Sequence, residues 1–353
     1  MPARVLVVDD SAFMRKVIPQ MLAGVPELEV VGSARDGEDA LEQVKRLKPD
    51  LMTLDCEMPK VDGLEVLRRL KSMQASSRPK VVMCSSLTRE GSEAALTAMS
   101  LGASGFVAKD ASVAVTGLDE LKSDLVKLLV ALSAGVRRSP MQASVRPVQV
   151  PIAQLPARVD LIAIGSSTGG PPVLEAVLSA LPATLPCPVV VCQHMPPLFT
   201  KSLADRLRAV CKVNVEHAEE GVVGLKPGTA YIVKGAMNGH IEKPGASLLL
   251  RVKPEPREAV YKPSVDVLLE TAGAAAGKHA VGVVLTGMGE DGLLGGRALV
   301  AAGGMILAQD EESCVVWGMP RAVTVAGLAS VAKPQEIGRH LAGAGRGVGR
   351  LAG

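Results

Sequence analysis

The chain has 353 residues, 48% of them apolar and 21% charged, with a net charge of +3. That length exceeds one ordinary hydrophobic core and suggests two domains; the apolar share excludes global disorder, and so small a charge does not imply a polyanion partner. Aromatic residues make up only 2%, which argues against base-stacking platforms for single-stranded nucleic acid and leaves Ala, Val, Leu and Met to fill the cores.

From the N-terminus, short apolar runs at 4–8, 28–31, 51–54, 80–84 and 105–108 alternate with helix-period segments at 37–47, 63–70 and 92–101. Runs without polar alternation predict strands buried on both faces. Strands alternating with helices predict a doubly wound, five-stranded parallel sheet, closed by a last helix at 118–132. The first domain is therefore placed at residues 1–132. Pro19 falls within the expected first helix, where a proline costs about 3 kcal/mol unless the helix kinks.

Parallel strands end on one shared edge. That edge collects Asp9 and Asp10 from the first strand, Asp55 from the third, Ser85 from the fourth and Lys109 from the fifth. A single Asp at a strand end commonly caps a loop; this set on four strand ends points to phosphoryl chemistry. Crowded carboxylates repel one another, and a hard divalent cation such as Mg²⁺ relieves them. Asp55 reads as the nucleophile that forms an aspartyl phosphate, Asp9 and Asp10 as metal ligands, and Lys109 as a second neutralising charge.

Residues 133–158 then carry four prolines and four arginines but no acidic residue, the composition of a semi-extended linker. Four spaced arginines with no aromatic between them favour a linker over a nucleic-acid contact.

The α/β alternation restarts after the linker. Strands are predicted at 159–164, 189–192, 281–285 and 305–308, and helices at 172–181, 198–209, 264–276 and 291–302. This second domain, 159–345, is expected to be doubly wound with a mostly parallel sheet. A Gly- and Pro-rich stretch at 213–252 suggests a small antiparallel excursion, and 346–353 a flexible tail.

The first strand of this half runs into Gly165-Ser166-Ser167-Thr168-Gly169-Gly170, followed by Pro171 and Pro172 at the start of a helix. Proline suits the first helical turn, so the loop sits at a helix N-terminus, where free amides favour negative charge. Gly-x-Ser-x-Gly also fits a tight strand-to-helix turn that exposes a nucleophilic hydroxyl. Ser167 needs a base, and His194 ends the next strand on the same edge; Asp291 follows another buried strand and could orient the imidazole. Spacing alone leaves His217, His240 and His279 as competing bases and Glu290 as a competing carboxylate. The loop lacks both the Gly-x-Gly-x-x-Gly fingerprint and a phosphate-loop Lys, which weighs against cofactor binding.

The six cysteines form no Cys-x-x-Cys pair and lie mostly in apolar runs, the pattern of reduced core thiols. No early stretch resembles a signal peptide and none is long enough to cross a bilayer, so a cytoplasmic protein without membrane insertion is expected. A receiver-controlled, non-enzymatic output is the rival reading, but a DNA-binding output needs a recognition helix with clustered Lys and Arg, which the second half lacks.

The first half resembles response-regulator receiver domains through Val7-Val8-Asp9-Asp10-Ser11, Leu54-Asp55-Cys56-Glu57-Met58-Pro59, Asp62-Gly63, Ser85-Ser86 and Phe106-Val107-Ala108-Lys109. The resemblance implies phosphorylation of Asp55 by a histidine kinase, with Mg²⁺ on Asp9, Asp10, Asp55 and the Glu57 carbonyl. It also implies that Ser85 senses the phosphoryl group and that Phe106 changes its packing. Asp110 stands where the family usually has proline after Lys109.

The second half resembles the catalytic domain of chemotaxis protein-glutamate methylesterases. The motifs are Ile164 to Gly170, Gln193-His194-Met195-Pro196, Pro263 to Leu268, Leu285-Thr286-Gly287-Met288-Gly289 with Asp291-Gly292, and Ser313 to Pro320. This implies Ser167, His194 and Asp291 as the triad, with Thr168 and Met288 near it and no cofactor in this half. It further implies hydrolysis of glutamyl methyl esters, and deamidation of glutamines, on chemoreceptors, switched on by the phosphorylated receiver.

Overall fold

In the computed structural model the chain divides into two compact units, Met1–Val145 and Arg146–Gly353. Residues 1–74, 77–86, 89–109, 115–136 and 154–344 are described, of which 85–86, 89–90, 115–117, 120 and 135–136 by backbone alone. Asp110, most of the expected linker and the 346–353 tail lie outside the described residues.

The first unit is a five-stranded parallel sheet in the order β2-β1-β3-β4-β5. Its strands are β1 (Ala3–Val8), β2 (Leu28–Ala34), β3 (Leu51–Asp55), β4 (Lys80–Ser86) and β5 (Gly105–Lys109), each followed by a helix. All five predicted strands are present. They are buried on both faces: Leu6, Val8, Met52, Leu54 and Met83 pack with Val44, Val66 and Met99 in one core, and the alternate residues Val5, Val7 and Leu51 are buried as well. Helix α1 (Ala12–Leu22) runs through Pro19, which lies close to its C-terminal end. Helix α5 (Val115–Val136) continues into residues that composition assigned to the linker. Ser133 fits there because its hydroxyl donates to the Val130 carbonyl.

The second unit is built on a seven-stranded sheet, order β15-β14-β13-β6-β7-β10-β8, parallel throughout. In chain order its strands are β6 (Leu161–Ser166), β7 (Val189–Gln193), β8 (Asn214–Ala218), β10 (Thr229–Val233), β13 (Ala280–Val284), β14 (Met305–Gln309) and β15 (Ala329–Ala332). The antiparallel excursion is smaller than the sequence suggests. Only β9 (Gly221–Gly224), β11 (Asn238–Glu242) and β12 (Leu249–Lys253) form the separate antiparallel sheet. From the same stretch, β8 and β10 join the main sheet, and β10, wholly buried, gains more apolar cover there than on a small exposed sheet.

The helices that shape the site are α6 (Gly170–Leu178), α8 (Val265–Ala276), α9 (Leu293–Ala301) and α10 (Met319–Val325). Among the described residues no helix is long and apolar enough to cross a membrane, and none of the six cysteines is in a disulfide.

Candidate active site

In the first unit, one carboxylate oxygen from each of Asp9, Asp10 and Asp55 lies within 4.8 Å of the others, at the C-terminal edge of β1 and β3. Lys109, at the end of β5, reaches Asp9 Oδ2 and Asp55 Oδ2, each at 2.8 Å. Burial pushes the Asp55 carboxyl up, against the pull of Lys109; burial alone would lower Lys109, but the anionic groups around it raise it. Gly63 is required here because any Cβ would strike the Asp55 carbonyl. The donors are all hard oxygens on one rim, so the set fits Mg²⁺. Phe106 is half-buried against the core beneath. Ser85 ends in the expected strand, and its side chain lies outside what is described.

In the second unit, β13, β6 and β7 are neighbours, with Val284 opposite Gly165 and Ser166 opposite Gln193. Their C-terminal ends therefore deliver the 285–292 loop, Ser167 and His194 to one rim. The Ser167 turn is pinned from both sides: its amide donates to Thr286 O (3.0 Å), and its carbonyl accepts from the Gly170 amide (2.9 Å) and from Gln193 Nε2 (2.8 Å). Gln193 also accepts from Ser166 Oγ at 2.6 Å. Thr286 donates its hydroxyl to Thr168 O, while its own amide is held by Gln309 Oε1. Gly169 adopts φ +78°, and a Cβ there would lie 2.6 Å from Val315, so two constraints select glycine. The amides of Thr168 and Met288 donate to no described acceptor.

His194 Nε2 donates to Asp291 Oδ2 at 2.8 Å, which sets the tautomer and leaves Nδ1 as the basic nitrogen. That Nδ1 is buried and has no hydrogen-bond partner. Among the described residues Ser167 Oγ forms no hydrogen bond either, so the His194–Asp291 contact is made and a Ser167–His194 side-chain contact is not. The backbones already hold the two residues together, since the His194 amide donates to Ser166 O at 3.0 Å.

Asp291 is buried at the start of α8: Ser264 Oγ and the amides of Val265 and Asp266 donate to it at 3.2, 2.8 and 2.9 Å. Burial would raise its carboxyl, but the His194 contact and these amides hold it below the usual carboxylate value. Asp266 returns the service to α9, accepting from the Gly292 and Gly295 amides at 2.9 and 2.7 Å. Burial and the Asp291 charge push Asp266 up. Each helix is thus capped by an aspartate from the other's start.

The three predicted residues Ser167, His194 and Asp291 meet on this rim, with Thr168 and Met288 on its loops. The competitors do not. His217 binds Thr200 and Glu219, His240 binds the Glu255 carbonyl, His279 binds the Arg158 carbonyl, and Glu290 is exposed. Sequence reading gave no role to Gln193, Ser264, Asp266 and Thr286, although they lie in the quoted motifs, and did not single out Gln309, because side chains that position others carry no periodic signal. It also passed over Tyr261, whose ring stacks on His194 with centroids 4.6 Å apart.

Two family models match the chain: CheB methylesterase over residues 162–341 and response regulator receiver domain over 5–116. A protein-glutamate methylesterase/protein-glutamine glutaminase from Lawsonia intracellularis is 45% identical over 341 residues, covering 92% of this chain and 94% of its own. One from Pyrococcus abyssi is 39% identical, covering 94% of this chain and 90% of its own. The crystal structure of the Thermotoga maritima CheB methylesterase catalytic domain covers 52% of this chain and 97% of its own, at TM-score 0.50 and 37% identity.

Proposed function

The chain belongs to the CheB methylesterase family, with a response-regulator receiver domain ahead of the esterase, and we propose that Ser167, His194 and Asp291 are its catalytic triad. It is a phosphorylation-controlled protein-glutamate methylesterase and protein-glutamine glutaminase. The single observation that carries the residue assignment is the buried His194 ring, bonded to Asp291 on one nitrogen and free on the other, in a residue whose amide binds the Ser166 carbonyl next to Ser167.

Ser167 Oγ attacks the ester carbonyl as its proton passes to His194 Nδ1. Asp291 holds the ring and stabilises the imidazolium. The amides of Thr168 and Met288 meet the oxyanion. Methanol leaves with the proton that His194 returns, and a water activated by the same nitrogen releases glutamate; a glutamine substrate loses ammonia instead.

The receiver domain extends to the end of α5 at Val136 rather than stopping at 132, and the esterase domain is taken as 159–345 with the linker between them. Asp55 is the phosphoryl acceptor, supplied by a histidine kinase. Mg²⁺ on Asp9, Asp10, Asp55 and the Glu57 carbonyl would neutralise the incoming phosphoryl group, with Lys109 beside it. Ser85 and Phe106 relay the change. The substrates are the cytoplasmic helices of methyl-accepting chemoreceptors, which places the protein in the cytoplasm.

The test is methanol release from methylated receptor. Ser167→Ala and His194→Ala should each lower kcat by about 10³-fold or more. Full activity in either variant removes that residue from the triad.

A further inference from the structure

The His194 ring is restrained in its own plane by one hydrogen bond, at Nε2. A five-membered ring held at one vertex can still tilt about that contact and swing Nδ1 away from a serine. The face of the ring is what stops the tilt, and Tyr261 covers it: the two ring planes lie 9° from parallel with centroids 4.6 Å apart. Tyr261 is half-buried and its hydroxyl makes no hydrogen bond among the described residues. Gly289, with φ +80°, lies beside that hydroxyl, where a Cβ would come within 3.2 Å of it. The ring therefore sits between the imidazole and the 285–292 loop that carries Asp291.

The same short segment supplies the remaining restraints. Three residues after Tyr261, Ser264 Oγ binds Asp291, and the next two amides bind it as well. One stretch of chain thus fixes the carboxylate through three donors and the imidazole through an aromatic face.

We propose that Tyr261 is a positioning residue for the catalytic base, holding the His194 ring plane and offering its aromatic face to the imidazolium that forms during the reaction. This rests on His194 being the base. When Ser167 attacks, its O–H bond breaks, an N–H bond forms at Nδ1, and the carbonyl electron pair moves to oxygen. The ring gains a positive charge at that step, and an aromatic face against a cation is attractive, most of all away from water. The titratable groups facing the ring are Asp291 at its edge and the Tyr261 phenol on its face. Asp266 stands behind Asp291, and the buried Cys192 thiol on β7 lies within the Asp291 field.

The experiment uses the intact chain with phosphodonor and Mg²⁺. It compares Tyr261→Leu, Tyr261→Met and Tyr261→Phe on methylated receptor and on a small neutral ester, with melting temperatures to exclude misfolding. Tyr261→Leu and Tyr261→Met should lower kcat about tenfold on both substrates with KM little changed. They should also move the acid limb of the kcat/KM profile to lower pH, because the protonated ring loses its partner. Tyr261→Phe, which retains the face, rescues both readouts.

Wild-type kcat and an unmoved acid limb in the Leu and Met variants would overturn the proposal. So would a rise in KM alone, which makes the ring a substrate contact, or a Phe variant as impaired as Leu. His194→Ala is run alongside: if it stays active, the triad assignment fails first, whatever the Tyr261 variants do.

Discussion

Asp291 and Asp55 are both largely buried carboxylates, and their surroundings push them in opposite directions. Asp291 is held low by a His194 contact and two amides, so its contribution to stability is present above the unfolded value near 3.8 and lost as pH falls through the lower folded value. It is ionised wherever the esterase works. Asp291→Asn keeps the shape but offers Nε2 a poor acceptor, and kcat for methanol release should fall by about 10³–10⁴-fold. Asp55 is raised by burial, so its contribution is greatest below the unfolded value near 3.8 and is lost as pH climbs through the raised one. Keeping Asp55 ionised at neutral pH therefore costs stability, which a bound cation would offset. Calorimetry of the intact chain should show Mg²⁺ at a hundredfold excess over Kd stabilising the first unit by about 2–3 kcal/mol at pH 7. Near pH 4, where protons compete for the same oxygens, the gain should nearly vanish. An equal gain at both values would rule out the carboxylates as ligands. At this scale the sequence was informative for Asp9, Asp10, Asp55 and Lys109, because strand ends place them directly. It was silent on Tyr261, a lone ring in a loop.

Among the elements, α8 and α9 depend on each other. Asp291 caps α8 and Asp266 caps α9, and Gly273 lets the two helices touch, since a Cβ there would lie 2.8 Å from Leu299 Cα. Asp266→Ala strips two amides of their acceptor at once and should cost about 1–3 kcal/mol, with a fall in kcat because the loop carrying Asp291 loosens. Asp266→Asn retains an acceptor and sheds a buried charge next to Asp291, so denaturant melts should place it much closer to the parent. The serine turn makes a similar demand: Gly169→Ala adds a side chain to a left-handed residue already against Val315 and should cost about 1–2 kcal/mol. Long apolar strands and amphipathic helices were legible in the sequence. The short α10 and β15, and the membership of β8 and β10 in the main sheet, were not, because the sheet a strand joins is set by its tertiary neighbours rather than by its own residues.

For the molecule as a whole, two sheets of the same parallel grammar do different chemistry on their C-terminal edges. One edge gathers carboxylates and a lysine, the groups proposed to accept a phosphoryl group; the other gathers a hydroxyl, an imidazole and one carboxylate, the groups proposed to cleave an ester. Receiver control makes the first edge govern the second. Adding a small phosphodonor with Mg²⁺ should raise methanol release by the intact chain severalfold, and Asp55→Asn should abolish that response. A response that survives Asp55→Asn would place the phosphoryl group elsewhere.

The two-domain α/β plan and the acidic cluster were legible in the sequence, because buried parallel strands send whatever follows them to one edge; Ser167, His194 and Asp291 were singled out there by resemblance, since spacing alone left His217, His240, His279 and Glu290 in competition. Folding alone decided which nitrogen of His194 meets Asp291, that two aspartates exchange helix caps, and that Tyr261 covers the imidazole. Those contacts join residues from 25 to 97 positions apart, and no local pattern of hydrophobicity or turn chemistry encodes a partner that distant.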